Sequence, residues 1–296
     1  MPIWRRTLFV NLVKPFALCA GVLLCGMVLT GCAAAPEALG PLRKETLQVL
    51  TQKMELLTVN AGQPGKVLQR TAVTGLPAGE AVVGMDYRIA KGVLFVLSSA
   101  GRLYTLDVPT GALKPVGSGT GVALRGQWFG VDFNPVADRV RVVGNTGQNI
   151  RLHPDTGALA ATDPAPAYAA GDARAGTTPE LVAAGYTYNK TDEKLTTNYA
   201  IDRNGGYLVT QGSREGVQPV VSFNTGLLFT VGALGIADMV DAQMDIADVT
   251  GAALVAVTTK SQSPSRLYNL DLTSGKATLL GPVGDGSRVI GMAVEP

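Results

Sequence analysis

One pattern of short apolar strands and tight turns recurs along this chain, and it limits the folds that the chain can adopt. Its most compact copy is residues 129–157, FGVDFNPVADRVRVVGNTGQNIRLHPDTG. Apolar or β-branched stretches alternate there with Asn-Pro, Asn-Thr-Gly and Asp-Thr-Gly, which are strong turn-formers. The copy therefore predicts an antiparallel meander.

The same unit recurs more loosely elsewhere in the chain. The predicted strands of three further units are 83–87, 93–97, 102–107 and 113–116; 182–188, 198–202, 207–211 and 227–231; and 243–246, 253–257, 266–271 and 277–280. Residues 162–178, rich in Ala, Gly, Asp and Pro, form a long connection after the compact copy. A loop of this length is usually functional or disordered.

The two ends of the chain complete one more unit together. Residues 47–50, 55–59 and 67–70 predict three strands that lack a first strand, and residues 289–293 repeat the element at 83–87 with nothing after it. A repeat spacing of about 50 residues suits four-stranded propeller blades. The positions that mark this spacing are Gly84, Gly130, Gly185, Gln243 and Gly291. We therefore predict an all-β propeller, with five four-stranded blades and a ring closed by the C-terminal strand.

Some alternatives stay open at this point. A pair of β-sandwiches would use the same strands, and a sixth blade could be hidden in the irregular third unit. Residues 44–57 could form an amphipathic helix instead of two strands. Thirty-six glycines and a low charged fraction of 16% favour many tight turns over long solvated helices.

The N-terminal segment predicts export and a lipid anchor. A basic start with Arg5, Arg6 and Lys14 precedes an apolar run, as in a secretory signal peptide. Residues 29–32, Leu-Thr-Gly-Cys, resemble the lipobox of bacterial lipoproteins, in which cleavage precedes the lipid-modified cysteine. We predict a signal peptide at 1–31, lipidation of Cys32, a linker at 32–45 and a single propeller domain at 46–296. The absence of Asp after Cys32 points to the outer membrane. An ordinary cleaved signal is the alternative.

The charge balance and residue counts exclude several functions. Without the basic residues of the signal, 22 basic residues face 23 acidic ones, so nucleic acid is not an expected partner. Cys32 is then the one remaining cysteine, and His153 is the only histidine. His/Cys zinc sites and Ser/His/Asp or Cys/His catalysis therefore lack the residues they need.

The stretches 129–157 and 167–176 (AYAAGDARAG) together resemble the DUF4394 family, a bacterial group named as a domain of unknown function. The resemblance covers nearly the whole chain after the signal. It implies an exported, propeller-like repeat protein and supplies no established activity.

An oxygen-rich metal site is one candidate for chemistry. The first strands of the blades line the axis of a propeller, and Asp86, Asp132, Asn134 and Asp245 lie on or just beyond them. Carboxylates that converge on an axis can hold a hard cation such as Ca²⁺. Strand residues alternate between two faces, so only some of the four are expected to converge. Hydrogen bonds and salt bridges between blades are the structural alternative.

The compact copy also concentrates polar groups that could bind a ligand. An ion-pair network with Asp132 and Asp172 that fixes the long connection is the structural interpretation, and a ligand surface in which arginine grips a carboxylate or phosphate is the functional one. The candidate residues are Asp132, Asn134, Arg139, Arg141, Gln148, Asn149, Arg151, Tyr168 and Asp172.

The sequence as a whole favours a lipid-anchored envelope propeller that acts as a binding or scaffolding module for an envelope protein or a small ligand. A metal-dependent hydrolase or lyase with a Ca²⁺-type ion is the alternative, and a purely structural envelope protein is a third. No catalytic constellation stands out, and fold alone cannot decide between these classes.

Overall fold

A computed structural model of the chain describes residue 11 and residues 40–118, 121–262 and 264–296. Residues 37–296 form one compact unit. The predicted signal peptide and Cys32 lie outside the described residues. Among those that are described, no helix has the length and apolar character needed to cross a membrane.

The described residues form five sheets whose strands are antiparallel, apart from one short parallel strand in the fourth sheet. Blade 1 contains β1 (Thr46–Thr51), β2 (Glu55–Asn60), β3 (Gln63–Ala72) and β21 (Val289–Val294). Blade 2 contains β4 (Val82–Arg88), β5 (Val93–Ser98), β6 (Leu103–Asp107) and β7 (Ala112–Pro115). Blade 3 contains β8 (Phe129–Asn134), β9 (Arg139–Gly144), β10 (Asn149–Leu152) and β11 (Leu159–Thr162). These strands confirm the predicted repeat.

Blades 4 and 5 complete the ring. Blade 4 contains β13 (Leu181–Tyr186), β14 (Asn198–Asp202), β15 (Tyr207–Gln211) and β16 (Leu227–Ala233), and β12 (Ala167–Tyr168) runs parallel to β16 at its outer edge. Blade 5 contains β17 (Met239–Ile246), β18 (Ala253–Thr259), β19 (Arg266–Leu270) and β20 (Ala277–Pro282). The irregular third unit of the sequence is therefore one blade with a short extra strand, not two blades.

The C-terminal strand closes the ring, as predicted. β21 pairs antiparallel with β1, with Leu47 opposite Val294 and Val49 opposite Met292. It thereby becomes the innermost strand of blade 1. Pairing the two chain ends in one blade covers the edge of β1, which would otherwise be an unpaired strand open to other chains.

The hydrophobic core lies between neighbouring blades. Leu50, Met85 and Ala293 belong to one buried cluster that joins blades 1 and 2. Phe95 and Val131 belong to the next cluster, between blades 2 and 3. Each blade buries both of its faces against its neighbours, which explains why the strands are apolar at successive positions rather than alternating strictly.

The helix alternative for residues 44–57 is wrong. Leu47, Val49, Leu57 and Val59 alternate along β1 and β2 and bury their side chains in one cluster. This period of two matches a strand, and burial against the neighbouring sheets overrides the permissive local helix propensity.

The segment 107–111, Asp-Val-Pro-Thr-Gly, is a turn between β6 and β7. Asp107 Oδ1 accepts a hydrogen bond from the backbone N–H of Thr110 at 3.0 Å. Gly111 follows with φ of 70°, a left-handed conformation that favours glycine. The carboxylate of Asp107 therefore stabilises the hairpin turn.

Candidate functional site

Three aspartates of the inner strands meet at the centre of the ring. Asp86, Asp132 and Asp245 lie on β4, β8 and β17, and one carboxylate oxygen from each falls within 4.8 Å of the other two. All three side chains are buried. The structure thus brings together the three carboxylates that the sequence marked as candidate metal ligands.

Each of these axial aspartates also joins its blade to another inner strand. The carboxylate accepts a hydrogen bond from a backbone N–H of that strand, and no side chain on the neighbour is needed. The three bonds run from Phe133 N to Asp86 Oδ2 at 2.7 Å, from Tyr186 N to Asp132 Oδ1 at 3.2 Å, and from Val294 N to Asp245 Oδ2 at 2.6 Å. At three of the five junctions between blades, a buried carboxylate therefore bridges the two inner strands through a hydrogen bond.

The hydrogen bonds correct one alignment made from the sequence. Because Tyr186 occupies the place of Phe133, Gly185 lies level with Asp132 and not with Gly130. Ala183 takes the marker position in blade 4 instead. The backbones of Gly130 and Ala183 are so close that a Cβ on Gly130 would lie 2.4 Å from the carbonyl carbon of Ala183. The marker position requires a small residue rather than glycine itself. By the same register Ala293 is level with Asp245, so two of the five axial positions carry no polar side chain.

Burial makes the charged form of these aspartates costly. It raises the pKa of Asp245 to about 6, and burial with the neighbouring carboxylates raises the pKa of Asp86 and of Asp132 well above the ordinary value. Burial and the charge of Asp245 raise the pKa of Asp248, just beyond β17, to about 7. Such a cluster either keeps protons or holds a cation, and three carboxylates suit a hard divalent ion.

A cavity of about 530 Å³ opens where the inner strands begin. Residues of blades 1, 2, 3 and 5 line it, and none of its lining residues comes from blade 4. We call this cavity the axial funnel. Met54, Leu124 and Ile290 give it apolar walls, and Gln127 and Gln243 add amide groups.

A stacked ion pair crosses the wall of the axial funnel. Arg288 Nη2 donates to Asp241 Oδ2 at 2.9 Å, and the guanidinium carbon lies 4.4 Å from the centre of the Trp128 ring. Burial raises the pKa of Asp241, although Arg288 opposes the shift. These contacts hold an aromatic ring and a cation in fixed places beside the cavity.

The polar residues of blade 3 form a buried network that holds the long connection. Arg141 is fully buried, donates from Nε to Tyr186 Oη at 2.6 Å and from Nη1 to Asn149 Oδ1 at 2.6 Å, and pairs with Asp163 at 3.1 Å. Arg151 pairs with the same carboxylate at 2.8 Å. Asp163 therefore takes the place that the sequence interpretation gave to Asp132 and Asp172.

The other candidate residues of the blade 3 surface do not converge. Gln148 bonds the 123–125 segment, and Asn134 accepts from the turn that follows β8. Arg139 donates to backbone oxygens of its own turn. Tyr168 donates to Asp202 at 2.5 Å, and Asp172 accepts from Thr230. These contacts stabilise local structure around the loops of blades 3 and 4.

Sequence reasoning missed the lining of the axial funnel. Trp128 and Arg288 directly precede β8 and β21, and Asp241 lies near the start of β17. They meet only because the ring brings these distant segments together. Trp128 directly before an inner strand, in a chain with two tryptophans, was the available signal.

The fold and its inner strands define a closed five-bladed propeller with buried carboxylates at its axis. Residues 55–293 match the model of DUF4394, a domain of unknown function, and the chain belongs to that family. No curated protein matches the chain.

The fold resembles several solved structures at low identity. The dihydro-heme d1 dehydrogenase NirN in complex with DHE is 14% identical, with a TM-score of 0.37 over 83% of this chain, which spans 45% of that one. Glutaminyl cyclase of Myxococcus xanthus is 11% identical, with a TM-score of 0.46 over 82% of this chain and 97% of the other. BamB from Moraxella catarrhalis is 14% identical, with a TM-score of 0.34 over 82% of this chain and 60% of the other. Similarity at this level implies no shared activity.

Proposed function

We propose that this protein is a binding module of the bacterial envelope and that it takes a small ligand in the axial funnel. The observation that carries the proposal is the cavity of about 530 Å³ formed by four of the five blades. Ligand pockets are typically concave, mostly apolar and supplied with a few fixed polar groups. The axial funnel has this composition.

The chemistry of the wall favours a ligand with an apolar body and hydrogen-bonding groups. Asp241 neutralises Arg288 and Arg102 neutralises Glu80, so the wall does not select a strong charge of either sign. The amides of Gln127 and Gln243 offer both donors and acceptors. A sugar or a small amide-bearing molecule satisfies these groups without leaving a buried charge unpaired.

Residues 37–296, which hold all strands of the ring, are the form to test. A thermal-shift screen against sugars, cell-wall fragments and small acids identifies a ligand, since a ligand at a hundred times its dissociation constant adds about 2.7 kcal/mol. Ala81→Trp fills the axial funnel and should abolish the shift. Ala90→Trp, the same change at the opposite face, lines another cavity and is the matched control.

Two outcomes contradict the proposal. A ligand whose shift survives Ala81→Trp and disappears in Ala90→Trp binds at the opposite face. A screen without any shift removes the small-ligand proposal and favours a scaffolding role through an envelope protein.

The envelope location rests on sequence alone. Residues 29–32 resemble a lipobox, and on that basis we propose that Cys32 carries the lipid that anchors the protein in the outer membrane. The anchor would keep the propeller at the membrane surface while its binding face stays in solvent.

A metal-dependent hydrolase or lyase is the second candidate, favoured by the three carboxylates within 4.8 Å. Calcium titrated into chelator-treated protein should raise the melting temperature, and Asp132→Asn should reduce that response. The axial aspartates do not line the axial funnel or the opposite cavity, which favours a structural ion over a catalytic one. A melting temperature that calcium leaves unchanged contradicts the metal site itself.

A further inference from the structure

Blade 4 carries a second cavity that shares no lining residue with the axial funnel. It has a volume of about 440 Å³ and lies between strands β15 and β16 and the segment 213–221. We call it the blade 4 pocket. Its walls include Val217, Pro219, Val221, Phe229 and Val231.

Hydroxyl groups around the blade 4 pocket are already used within the protein. Thr210 donates to the carbonyl of Gly212 at 2.8 Å, and Ser213 Oγ accepts from the N–H of Val221 at 3.0 Å. Thr230 donates to Asp172 at 2.7 Å. The pocket therefore presents a largely apolar surface to a ligand.

Arg214 is the one charged side chain that lines this pocket. Its guanidinium carbon lies 6.0 Å from the centre of the Tyr199 ring, which holds the side chain in place. Among the described residues it forms no ion pair. The neighbouring Glu215 is engaged elsewhere, because its carboxylate accepts from Thr187 at 2.6 Å and from Asn189 at 2.7 Å.

An apolar pocket with a single unpaired guanidinium is complementary to an apolar anion. We propose that the blade 4 pocket binds an alkyl carboxylate, with the chain against Phe229 and the valines and the carboxylate on Arg214. Guanidinium groups bind carboxylates in a bidentate, charge-assisted way, and an alkyl chain gains free energy by leaving water. A neutral alcohol of the same length keeps only the second contribution.

The test compares octanoate with octanol by isothermal titration calorimetry on residues 37–296. Octanoate should bind at least about tenfold more tightly than octanol, since one charge-assisted contact contributes about 1.5 kcal/mol or more. Arg214→Gln should remove that difference, and Arg214→Lys should keep part of it. Lys66→Gln, which removes an exposed cation of blade 1, is the control and should change nothing.

The remaining outcomes each overturn the proposal. Equal affinity for octanoate and octanol contradicts the role of the charge. Octanoate binding that survives Arg214→Gln but disappears in Ala81→Trp assigns the carboxylate to the axial funnel, which would support the proposed function and refute this inference. Thermal melts of each variant show whether lost binding reflects an unfolded protein.

Discussion

Replacing Asp132 by asparagine should stabilise the propeller above neutral pH, in contrast to most substitutions of a buried residue. Asp132 is 3% exposed, and its backbone hydrogen bond within the described residues runs from Tyr186 N to Oδ1. An amide oxygen can accept the same bond. The amide nitrogen then offers donors to the remaining carboxylates, where wild type has a third negative charge.

The size of the effect follows from the distances at the axis. Two unit charges 4.8 Å apart repel by about 3.5 kcal/mol at an effective dielectric constant of about 20. Burial separately raises the pKa of Asp245 to about 6, so a negative charge at the axis is costly even apart from this repulsion. We expect Asp132→Asn to raise the free energy of unfolding by about 2 to 3 kcal/mol at pH 8. The melting temperature should rise by about 4 to 12 °C.

The effect should depend on pH with a defined sign. Folded-state pKa values raised above the ordinary value favour the protonated folded protein, so the contribution of these axial carboxyls to wild-type stability is highest at low pH and falls as they ionise. The values near 6 for Asp245 and near 7 for Asp248 place this loss between about pH 4 and pH 8. At pH 4.5 the Asp132→Asn variant should therefore be little more stable than wild type.

Urea unfolding in the presence of a chelator at pH 4.5, 6 and 8, followed by tryptophan fluorescence, measures both the size of the stabilisation and its dependence on pH. Asp86→Asn is the matched control, because both of its carboxylate oxygens accept a backbone N–H, from Tyr87 and from Phe133, each at 2.7 Å. Its amide nitrogen would face a donor, so this variant should gain less at pH 8. If Asp132→Asn destabilises the protein equally at pH 4.5 and pH 8, charge repulsion at the axis is refuted.

Three further predictions concern packing, the buried ion pair and the anchor. Gly130→Ala should cost about 1 to 3 kcal/mol in urea unfolding, because its Cβ would lie 2.4 Å from the backbone of blade 4, whereas Gly171→Ala has nothing within 4 Å and should cost nothing; equal costs would contradict the close approach. Arg141→Ala should cost about 3 to 5 kcal/mol by leaving Asp163 buried with only a partly exposed partner, and a loss below about 1 kcal/mol would show that the pair is dispensable. Cys32→Ala should move the protein from the membrane to the soluble fraction and abolish labelling with a fatty-acid probe; continued labelling would contradict lipidation at this residue.

Local sequence signals were sufficient to predict the strands and the ring. Turn residues and β-branched stretches act over a few positions, and β21 resembles β4 closely enough to reveal the split blade. The two residues of β12 carry no such signal. They form a strand only because the long connection pairs with β16, a contact between distant parts of the chain. The misalignment of Gly185 also reflects a weak local signal, because Ala183 is small enough to occupy the marker position where a glycine was expected.

The candidate sites were predictable only in part. Their position on the predicted first strands marked the axial aspartates as candidates, and alternation predicted that only some of the four polar residues there would converge. Partner choice was not predictable in the same way. Arg141 and Arg151 pair with Asp163, which lies in the connection after β11, and the guanidinium of Arg288 reaches Trp128 across about half of the chain. Such contacts depend on the closed ring rather than on neighbouring residues.

The pairing of β1 with β21 makes the assembly of this fold a late event. Gln48 donates to Glu295, 247 positions further along the chain, so the seam joins segments that are synthesised at very different times. Contacts of such high sequence separation form slowly, because the entropy of closing a large loop is lost before the contact is gained. Until β21 is available, blade 1 has no innermost strand and the ring has a gap. The ring therefore cannot close until synthesis of the chain is nearly complete, which is compatible with the proposed export of the protein before its final fold is reached.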